Sequence, residues 1–275
     1  MSLRVTILGC GSSGGVPRVG GPEGVSWGKC DPQNPKNQRR RCSILVEKTD
    51  GNQFDSAASA TRLLVDTSPD LRQQMLSAEV PDLDAVLYTH DHADHIHGID
   101  DLRPFVLSRR AQIDVFADHR TAGMLRDRFG YCFSAPDGSI YPPILKLSEL
   151  SHDTPLEISG GAGTIAATPI PVEHGPIMAL GFRFGGVAYM PDVSAIPESS
   201  VPALENLDVW IIDALRDTPH VSHFTVATAL EWIDRMKPKR AILTNLHVDL
   251  DYGELAARLP DNAEPAFDGM TVLTS

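Results

Sequence analysis

The amino-acid sequence predicts an α/β fold in which two β-sheets are covered by helices. Strand-like apolar runs come first, and strands then mix with amphipathic helices in both halves of the chain, as in layered α/β proteins. The 275 residues are 42% hydrophobic and 22% charged, which is ordinary for a globular protein and enough to bury a sizeable core. We therefore expect a single domain over residues 1–275.

The net charge and the N-terminus restrict the class of protein and its location. A formal net charge of −12 argues against a general nucleic-acid binder, which normally presents a basic face. No apolar run approaches about 18 residues, and residues 1–9 lack the features of a signal peptide, so we expect neither a membrane span nor export. Four scattered cysteines without a C-x-x-C spacing then predict reduced thiols in the cytoplasm.

The first half of the chain predicts strands and helices separated by two unusual loops. Apolar runs predict strands at 4–8, 43–47, 62–66, 85–88, 113–116 and 144–147, and helical patterns cover 69–79 and 119–129. The glycine-rich turn at 9–15 permits close backbone approach, and the Pro- and Gly-rich stretch 16–42 predicts a long irregular loop. Small polar residues at 48–61 predict an exposed hairpin tip.

The second half of the chain continues the alternation. Strands are predicted at 164–172, 180–184, 187–190, 208–213 and 241–246, and helices at 225–236 and near 252–259. Gly185 and Gly186 between two of these strands indicate a tight hairpin. Several of the predicted strands end in a histidine or a carboxylate, so the ends of the strands are where a functional site is expected.

The stretch 90–97 is the strongest functional signal in the chain. It holds four of the 10 histidines and two aspartates, and it directly follows the apolar run 85–88. A polar loop in which Asp94 caps the next helix would need only one such residue. Imidazole and carboxylate ligands together suit zinc, manganese or iron, and the stretch has no cysteine whose thiolate would favour one of these metals over the others. The stretch therefore predicts a metal site.

Four further metal-competent residues stand at predicted strand ends, namely Asp66, His174, Asp192 and His247. Each has an ordinary alternative as a helix cap or a turn residue. Ligands, however, collect where the strands of layered α/β folds run out into loops. The joint occurrence of these residues predicts that they share one site with the histidine cluster.

The spacing divides the ligands between two divalent ions, zinc or manganese. His90 and His92 lie two apart on an extended segment, so both can turn to one side and hold one ion. Asp94 and His95, at the start of a helix, face a second ion. Two neighbouring cations need an anionic bridge, and Asp192 is the natural carboxylate for it.

The remaining candidates complete this arrangement. His174 and His247 are each expected to complete one metal site. Asn245, two residues before His247, is a poor ligand by comparison. Asp66 suits the role of an acceptor that orients a ligand histidine.

These motifs resemble the metallo-β-lactamase superfamily. The H-x-H-x-D-H pattern at 90–95, followed in order by a histidine, an aspartate and a late histidine, matches it over nearly the whole chain. The resemblance implies a four-layer αββα sandwich with a two-metal site at one edge. The stretches 8–18, 27–31 and 267–270 resemble the PhnP-type cyclic-phosphate phosphodiesterases, and more distantly tRNase Z. Relatives usually have Thr-His where this chain has Thr244-Asn245, which is why His247 is taken as the ligand.

The predicted function is metal-dependent hydrolysis of a small cyclic or nucleotide-like phosphodiester by a hydroxide that the two ions activate. Asp94 is expected to orient that hydroxide. His223, which matches a histidine of the relatives, would protonate the leaving oxygen and contact the substrate, with His220 as its competitor. Ser12 and Ser13 are expected to line the substrate pocket. Nucleic acid and membrane are not expected as partners, and assembly into a homodimer stays open.

Two other functions remain open. The first is a tRNase Z-like nuclease, although such an enzyme would carry a long Gly/Pro-rich arm for tRNA, which nothing in the sequence clearly supplies. The second is a non-catalytic metal or nucleotide sensor on the same fold, and metal content combined with phosphodiester turnover distinguishes it from the enzyme. A β-lactamase is disfavoured, because it would be exported and would have Cys or Ser at position 192.

Overall fold

The computed structural model describes residues 3–22, 24–49, 59–135, 137–152 and 154–274. The strands of the first half are β1 (Leu3–Gly9), β2 (Arg18–Val19), β3 (Val25–Ser26), β4 (Ser43–Thr49), β5 (Ala60–Val65), β6 (Ala85–Leu87), β7 (Ile113–Ala117) and β8 (Leu145–Glu149). Its helices are α1 (Leu71–Ser77), α2 (Ala93–Ile96), α3 (Arg103–Arg109) and α4 (His119–Phe133).

The second half adds eight strands and two α-helices within the described residues. The strands are β9 (Leu156–Gly160), β10 (Gly163–His174), β11 (Ile177–Phe184), β12 (Val187–Met190), β13 (Val209–Asp213), β14 (Arg240–Thr244), β15 (Ala263–Pro265) and β16 (Thr271–Leu273). The helices are α5 (Val226–Met236) and α6 (Tyr252–Ala256). Short 3-10 helices lie at Pro35–Asn37, Ile99–Leu102 and Glu198–Leu204.

Two seven-stranded mixed sheets form the centre of the molecule. Their strand orders are β16-β1-β4-β5-β6-β7-β8 and β15-β14-β13-β12-β11-β10-β9. In each sheet three antiparallel pairings are followed by three parallel ones, from β5–β6 onward in the first and from β12–β13 onward in the second. The two halves therefore share one topology, although the sequence shows no internal repeat.

The cores confirm the predicted αββα sandwich. Alternate residues of a strand point to opposite faces, so Leu63 of β5 and Ile211 of β13 share the inner core between the sheets. Leu64, one residue on, packs outward among the side chains of α1 and α4, and Trp210 packs outward with those of α5 and α6. Each sheet thus buries one face against the other sheet and one face against helices.

Some elements differ from the sequence prediction. The short strands β9, β15 and β16 were not predicted, because three to five residues give little periodic signal. The long loop 16–42 contains the β2–β3 hairpin and a 3-10 helix. Most of the predicted hairpin tip, 50–58, lies outside the described residues. Among the described helices, none is long and apolar enough to span a membrane.

Candidate metal centre

The candidate site lies at the ends of strands from both sheets. Asp66 follows β5 and His90 follows β6 by three residues, while Asp192 and Asn245 follow β12 and β14 and His174 ends β10. The parallel pairings β5–β6 and β12–β13–β14 bring these carboxyl ends to one edge of each sheet. Asp66 and Asn245 have positive φ angles of 65° and 61°, which turn the chain sharply at the strand end.

The first group of candidate ligands is His90, His92 and His174, whose ligand atoms all lie within 4.8 Å of one another. The Thr89 hydroxyl donates its proton to Asp66, so at 3.0 Å it accepts from His90 Nδ1. His90 Nε2 is then a lone-pair atom, and it is buried without a hydrogen-bond partner. Burial lowers the pKa of His90 well below its usual value and also lowers the pKa of His174. Neutral imidazoles are the form that binds metal.

His174 reaches the same group from the other sheet. Its Nδ1 donates to the carbonyl oxygen of Ser222 at 2.7 Å, which turns Nε2 toward His92 Nδ1 at 3.2 Å. The main-chain acceptor fixes the ring orientation, as is usual behind a metal-binding histidine.

The second group is His90, His95 and Asp192. His95 Nε2 lies 2.8 Å from Asp192 Oδ2 and 3.5 Å from Asp94 Oδ2. Burial alone would lower the pKa of His95, but the Asp192, Asp94 and Asp66 carboxylates outweigh it and raise the pKa well above its usual value. His95 Nε2 and Asp192 Oδ2 therefore face each other as an ion pair, and a divalent cation would replace the proton between them.

Asp66 stands behind this second group. It is fully buried and accepts hydrogen bonds from Thr89 N, Thr89 Oγ1 and His95 Nδ1, each at 2.8 Å. The last bond fixes the His95 ring so that Nε2 faces the centre. The structure therefore places Asp66 where the sequence predicted an orienting acceptor.

The third group is His174, Asp192 and His223. His223 Nδ1 donates to Asp213 Oδ2 at 2.9 Å and lies 3.3 Å from Asp192 Oδ1. Burial by itself lowers the pKa of His223, but the Asp213 and Asp192 carboxylates outweigh it and raise the pKa to about 9. Burial raises the pKa of Asp213 to about 6 against the opposing effect of His223.

Asp213 is the residue of the candidate site that the sequence reasoning missed. Its strand was predicted to end in a carboxylate, but no motif connected it to the other residues. It is fully buried, and it also accepts from Val193 N at 3.1 Å. The sequence feature that could have identified Asp213 is the one that identified Asp66, namely a carboxylate at the end of a buried strand.

His247 lies apart from the three groups. The chain leaves β14 at Asn245, and the next two amides bond across to Cys10 O at 2.8 Å and to Leu215 O at 3.0 Å. His247 is thereby placed on another wall of the cavity, with Nδ1 2.9 Å from Asp249 Oδ2. Asn245 instead lies at the centre and donates from Nδ2 to Asp192 Oδ1 at 3.0 Å. The described residues thus do not bring His247 together with the predicted ligands of the second ion.

One cavity of about 290 Å³ opens onto the site. Among the residues that line it are all four predicted substrate-binding residues, Ser12, Ser13, His220 and His223. Asp94 lines it as well, beside the ligand groups. His220 Nδ1 lies 3.1 Å from the Ser222 hydroxyl, and burial together with His223 lowers the pKa of His220.

The donor set fits divalent metal ions. Three imidazoles turned to one point, and a carboxylate shared between neighbouring groups, match the ligands of zinc, manganese and iron sites. The buried His90 Nε2, which has no hydrogen-bond partner, is the atom that an ion would satisfy.

Comparison with known families matches this architecture to the model of the beta-lactamase superfamily domain over residues 61–245. The chain belongs to the beta-lactamase superfamily. Those residues include the histidine cluster and Asp66, His174, Asp192, Asp213 and Asn245, whereas His247 lies just outside them.

Two curated relatives are similar over much of the chain. An octanoyltransferase of Porphyromonas gingivalis (strain ATCC BAA-308 / W83) is 32% identical over 276 residues, which is 98% of this chain but 51% of that protein. The chain therefore spans about half the length of that relative. The exodeoxyribonuclease WalJ of Streptococcus pneumoniae is 28% identical over 184 residues, 64% of this chain and 62% of that protein.

Solved structures confirm the fold and the resemblance to the PhnP type. A diphosphatase of the PhnP family superimposes with a TM-score of 0.84 at 32% identity, covering 100% of this chain and 98% of that one. The short form of human tRNase Z superimposes with a TM-score of 0.62 at 15% identity, covering 98% of both chains. At that identity the second match shows a shared fold only. The chain is thus a hydrolase-fold protein with a candidate His/Asp metal site.

Proposed function

We propose that this protein is a metal-dependent phosphodiesterase that hydrolyses a small cyclic or nucleotide-like phosphodiester. The observation that carries the proposal is the His223–Asp213 pair beside the candidate metal ligands, facing a cavity of about 290 Å³. A histidine held by a buried carboxylate next to metal ligands combines proton transfer with neutralisation of phosphoryl charge. The diphosphatase resemblance supports chemistry at phosphorus.

In this proposal the site binds two ions. His90, His92 and His174 would hold one ion, and Asp94, His95 and Asp192 would hold the second, as zinc or manganese. When bound, the ions would neutralise charge on the phosphoryl oxygens and make a water more acidic. Asp66 keeps the ring of His95 in the orientation that this requires.

His223 is the proton donor in this proposal. Its raised pKa of about 9 keeps the ring protonated at neutral pH, and its Nδ1 proton is engaged by Asp213. The Nε2 proton is then free to pass to the leaving oxygen of the substrate. Asp94, which lines the same cavity, accepts a hydrogen bond from the attacking water in this proposal and so orients it toward the phosphorus atom.

The test combines metal content with turnover. We expect the zinc- or manganese-loaded protein to bind two ions per chain and to hydrolyse bis-p-nitrophenyl phosphate or a cyclic ribose phosphate. His223→Ala should keep its metal and lose turnover by about 10²-fold or more. Binding of two ions without cleavage of either substrate, in both the wild type and His223→Ala, would overturn the proposal in favour of a metal or nucleotide sensor.

A further inference from the structure

The segment that follows Asp192 is hydrogen-bonded to the end of β10, which carries His174. The amide and the hydroxyl of Ser194 both donate to the carbonyl oxygen of Glu173, at 2.7 and 3.1 Å. The same hydroxyl accepts from the amide of Gly175 at 2.9 Å. Glu173 and Gly175 are the residues on either side of His174. Ser194 therefore holds the main chain of His174 from both sides.

The residue before Ser194 connects this segment to the Asp213–His223 pair. Val193 is fully buried, and its amide donates to Asp213 Oδ2 at 3.1 Å. His223 Nδ1 donates to the same oxygen at 2.9 Å. Three consecutive residues thus contribute the carboxylate of Asp192, a donor to Asp213 and the hydroxyl of Ser194.

The pairing of the strands does not by itself fix the distance between His174 and Asp192. The two residues stand at the ends of β10 and β12, and β11 lies between these strands in the sheet. Across that gap the main chain of Glu173 forms a bridge with Ala195, with a bond of 2.9 Å from Glu173 N to Ala195 O. This bridge and the Ser194 hydroxyl join the two strand ends directly.

The turn after His174 transmits its position to the imidazole ring. Gly175 has a φ angle of 58°, and a Cβ atom built on it would lie 2.9 Å from Ser222 Cβ. The turn therefore packs closely against the loop that contains Ser222, which favours glycine at this position. In this packing Ser222 O accepts from His174 Nδ1 at 2.7 Å. A shift of the turn would lengthen this bond and rotate the ring of His174.

We propose that Ser194 is a positioning residue that sets the spacing of His174 and Asp192. The inference rests on the candidate metal site of the proposed function. Ligand atoms of the two side chains lie within 4.8 Å of each other, as neighbouring ligands require. Ser194 is not among the described residues that line the cavity, and main-chain groups engage its hydroxyl as donor and as acceptor. It acts through the residues that it holds.

The first test uses the metal-free protein with ¹⁵N-labelled histidine. His174 Nδ1 donates to Ser222 O and His95 Nδ1 donates to Asp66, so nuclear magnetic resonance should detect both imidazole protons as slowly exchanging signals. In Ser194→Ala the His174 proton should exchange about 10-fold faster, because its acceptor is no longer held in place. The His95 proton belongs to the first sheet and should be unchanged, whereas general destabilisation would accelerate both.

Two further variants test whether the hydroxyl itself is responsible. Ser194→Thr keeps the hydroxyl and should restore the slow exchange of the His174 proton. Ser200→Ala is the matched control, because the Ser200 hydroxyl donates to Pro171 O of the same strand at 2.6 Å, three residues before His174. This control should leave both imidazole signals as in the wild type. Circular dichroism melting confirms that each variant is folded.

Zinc affinity is the second measurement. Competition with a chelator should show that Ser194→Ala binds zinc about 3- to 10-fold more weakly, the size expected for the loss of a hydrogen bond that orients a ligand. Ser194→Thr and Ser200→Ala should bind zinc as the wild type does.

The outcomes separate this inference from the proposed function. Weaker zinc binding by Ser194→Ala that Ser194→Thr reverses supports the role of Ser194, and so does faster exchange confined to the His174 proton. Unchanged zinc affinity, acceleration of both imidazole protons, or a threonine variant that behaves like the alanine variant overturns it and leaves the phosphodiesterase proposal intact. If the metal-loaded wild type cleaves no phosphodiester, the proposed function fails, and the same two measurements still decide the role of Ser194.

Discussion

The two sheets place the same side-chain pair at corresponding edges of the site. In the first sheet Asp66 accepts from His95 Nδ1 at 2.8 Å, and in the second Asp213 accepts from His223 Nδ1 at 2.9 Å. Both carboxylates are fully buried at the end of a parallel strand, and both histidines contact Asp192. The two halves of the molecule thus offer one arrangement twice, with Asp192 between the copies.

The difference lies beyond the imidazole rings. The side chain of His95 is 2% exposed, and its Nε2 faces Asp192 and Asp94, a surrounding that suits a metal ligand. The side chain of His223 is 14% exposed and lines the substrate cavity. In the proposed function the same carboxylate–imidazole pair would hold a metal in one sheet and transfer a proton in the other. The exposure of each ring and the neighbours of its Nε2 atom are the basis for assigning these two roles.

Removing the residue shared by the two pairs should have the largest effect. Asp192→Asn takes a negative charge away from both histidines and from the proposed second ion, so we expect turnover to fall on the order of 10⁴-fold. Metal analysis should show one ion lost per chain. Retention of both ions with nearly unchanged turnover would show that Asp192 does not connect the two halves.

Breaking the Asp213–His223 pair, which lies beside the cavity, should lower turnover without loss of bound metal. In Asp213→Asn the amide no longer stabilises protonated His223, so kcat should fall about 10²- to 10³-fold with metal content unchanged. The alkaline limb of the pH–rate profile should also shift to lower pH, because the carboxylate that raises the pKa of His223 is gone. A loss of metal instead would assign His223 to the ligands and make the two pairs equivalent.

Breaking the Asp66–His95 pair, which is more deeply buried, should instead weaken metal binding first and turnover only as a consequence. Asp66→Asn removes the acceptor that orients His95, so metal affinity should fall about 10- to 100-fold. Turnover should recover toward the wild-type value when excess metal is supplied, which competition with a chelator can follow. Turnover that stays low at saturating metal would contradict an orienting role.

A third carboxylate, Asp268, has no histidine partner and serves as the contrast; its side chain is 13% exposed. Burial raises its pKa to about 7, although Cys10 N and Arg40 N donate to it at 3.2 and 2.8 Å. The folded state then binds more protons than the unfolded state between about pH 4 and pH 7, so stability should fall as pH rises through that range.

Asp268→Asn should remove this part of the pH dependence and leave turnover nearly unchanged. We expect the difference in unfolding free energy between wild type and variant to change by roughly 2–4 kcal/mol between pH 4 and pH 8. Urea titrations at both pH values measure it. A pH-independent difference would show that Asp268 ionises normally in the fold.

The sequence by itself determined the fold class and the first half of the site. Strand and helix patterns gave two covered sheets, and the cluster at 90–95 identified the metal-binding edge, because a metal site built on one turn leaves its ligands adjacent in the chain. Asp66, His174 and Asp192 could be added because each stands where a recognisable strand ends.

The tertiary structure decided the second half of the site. Asp213 and His223 are ten residues apart and come together because the loop after β13 folds back over the sheet, which no periodicity encodes. His247 lies away from the candidate metal ligands, because main-chain hydrogen bonds to Cys10 and Leu215 determine the course of the backbone after Asn245. Long-range pairing and side-chain burial depend on residues far apart in sequence, so the roles of these residues follow from the packing.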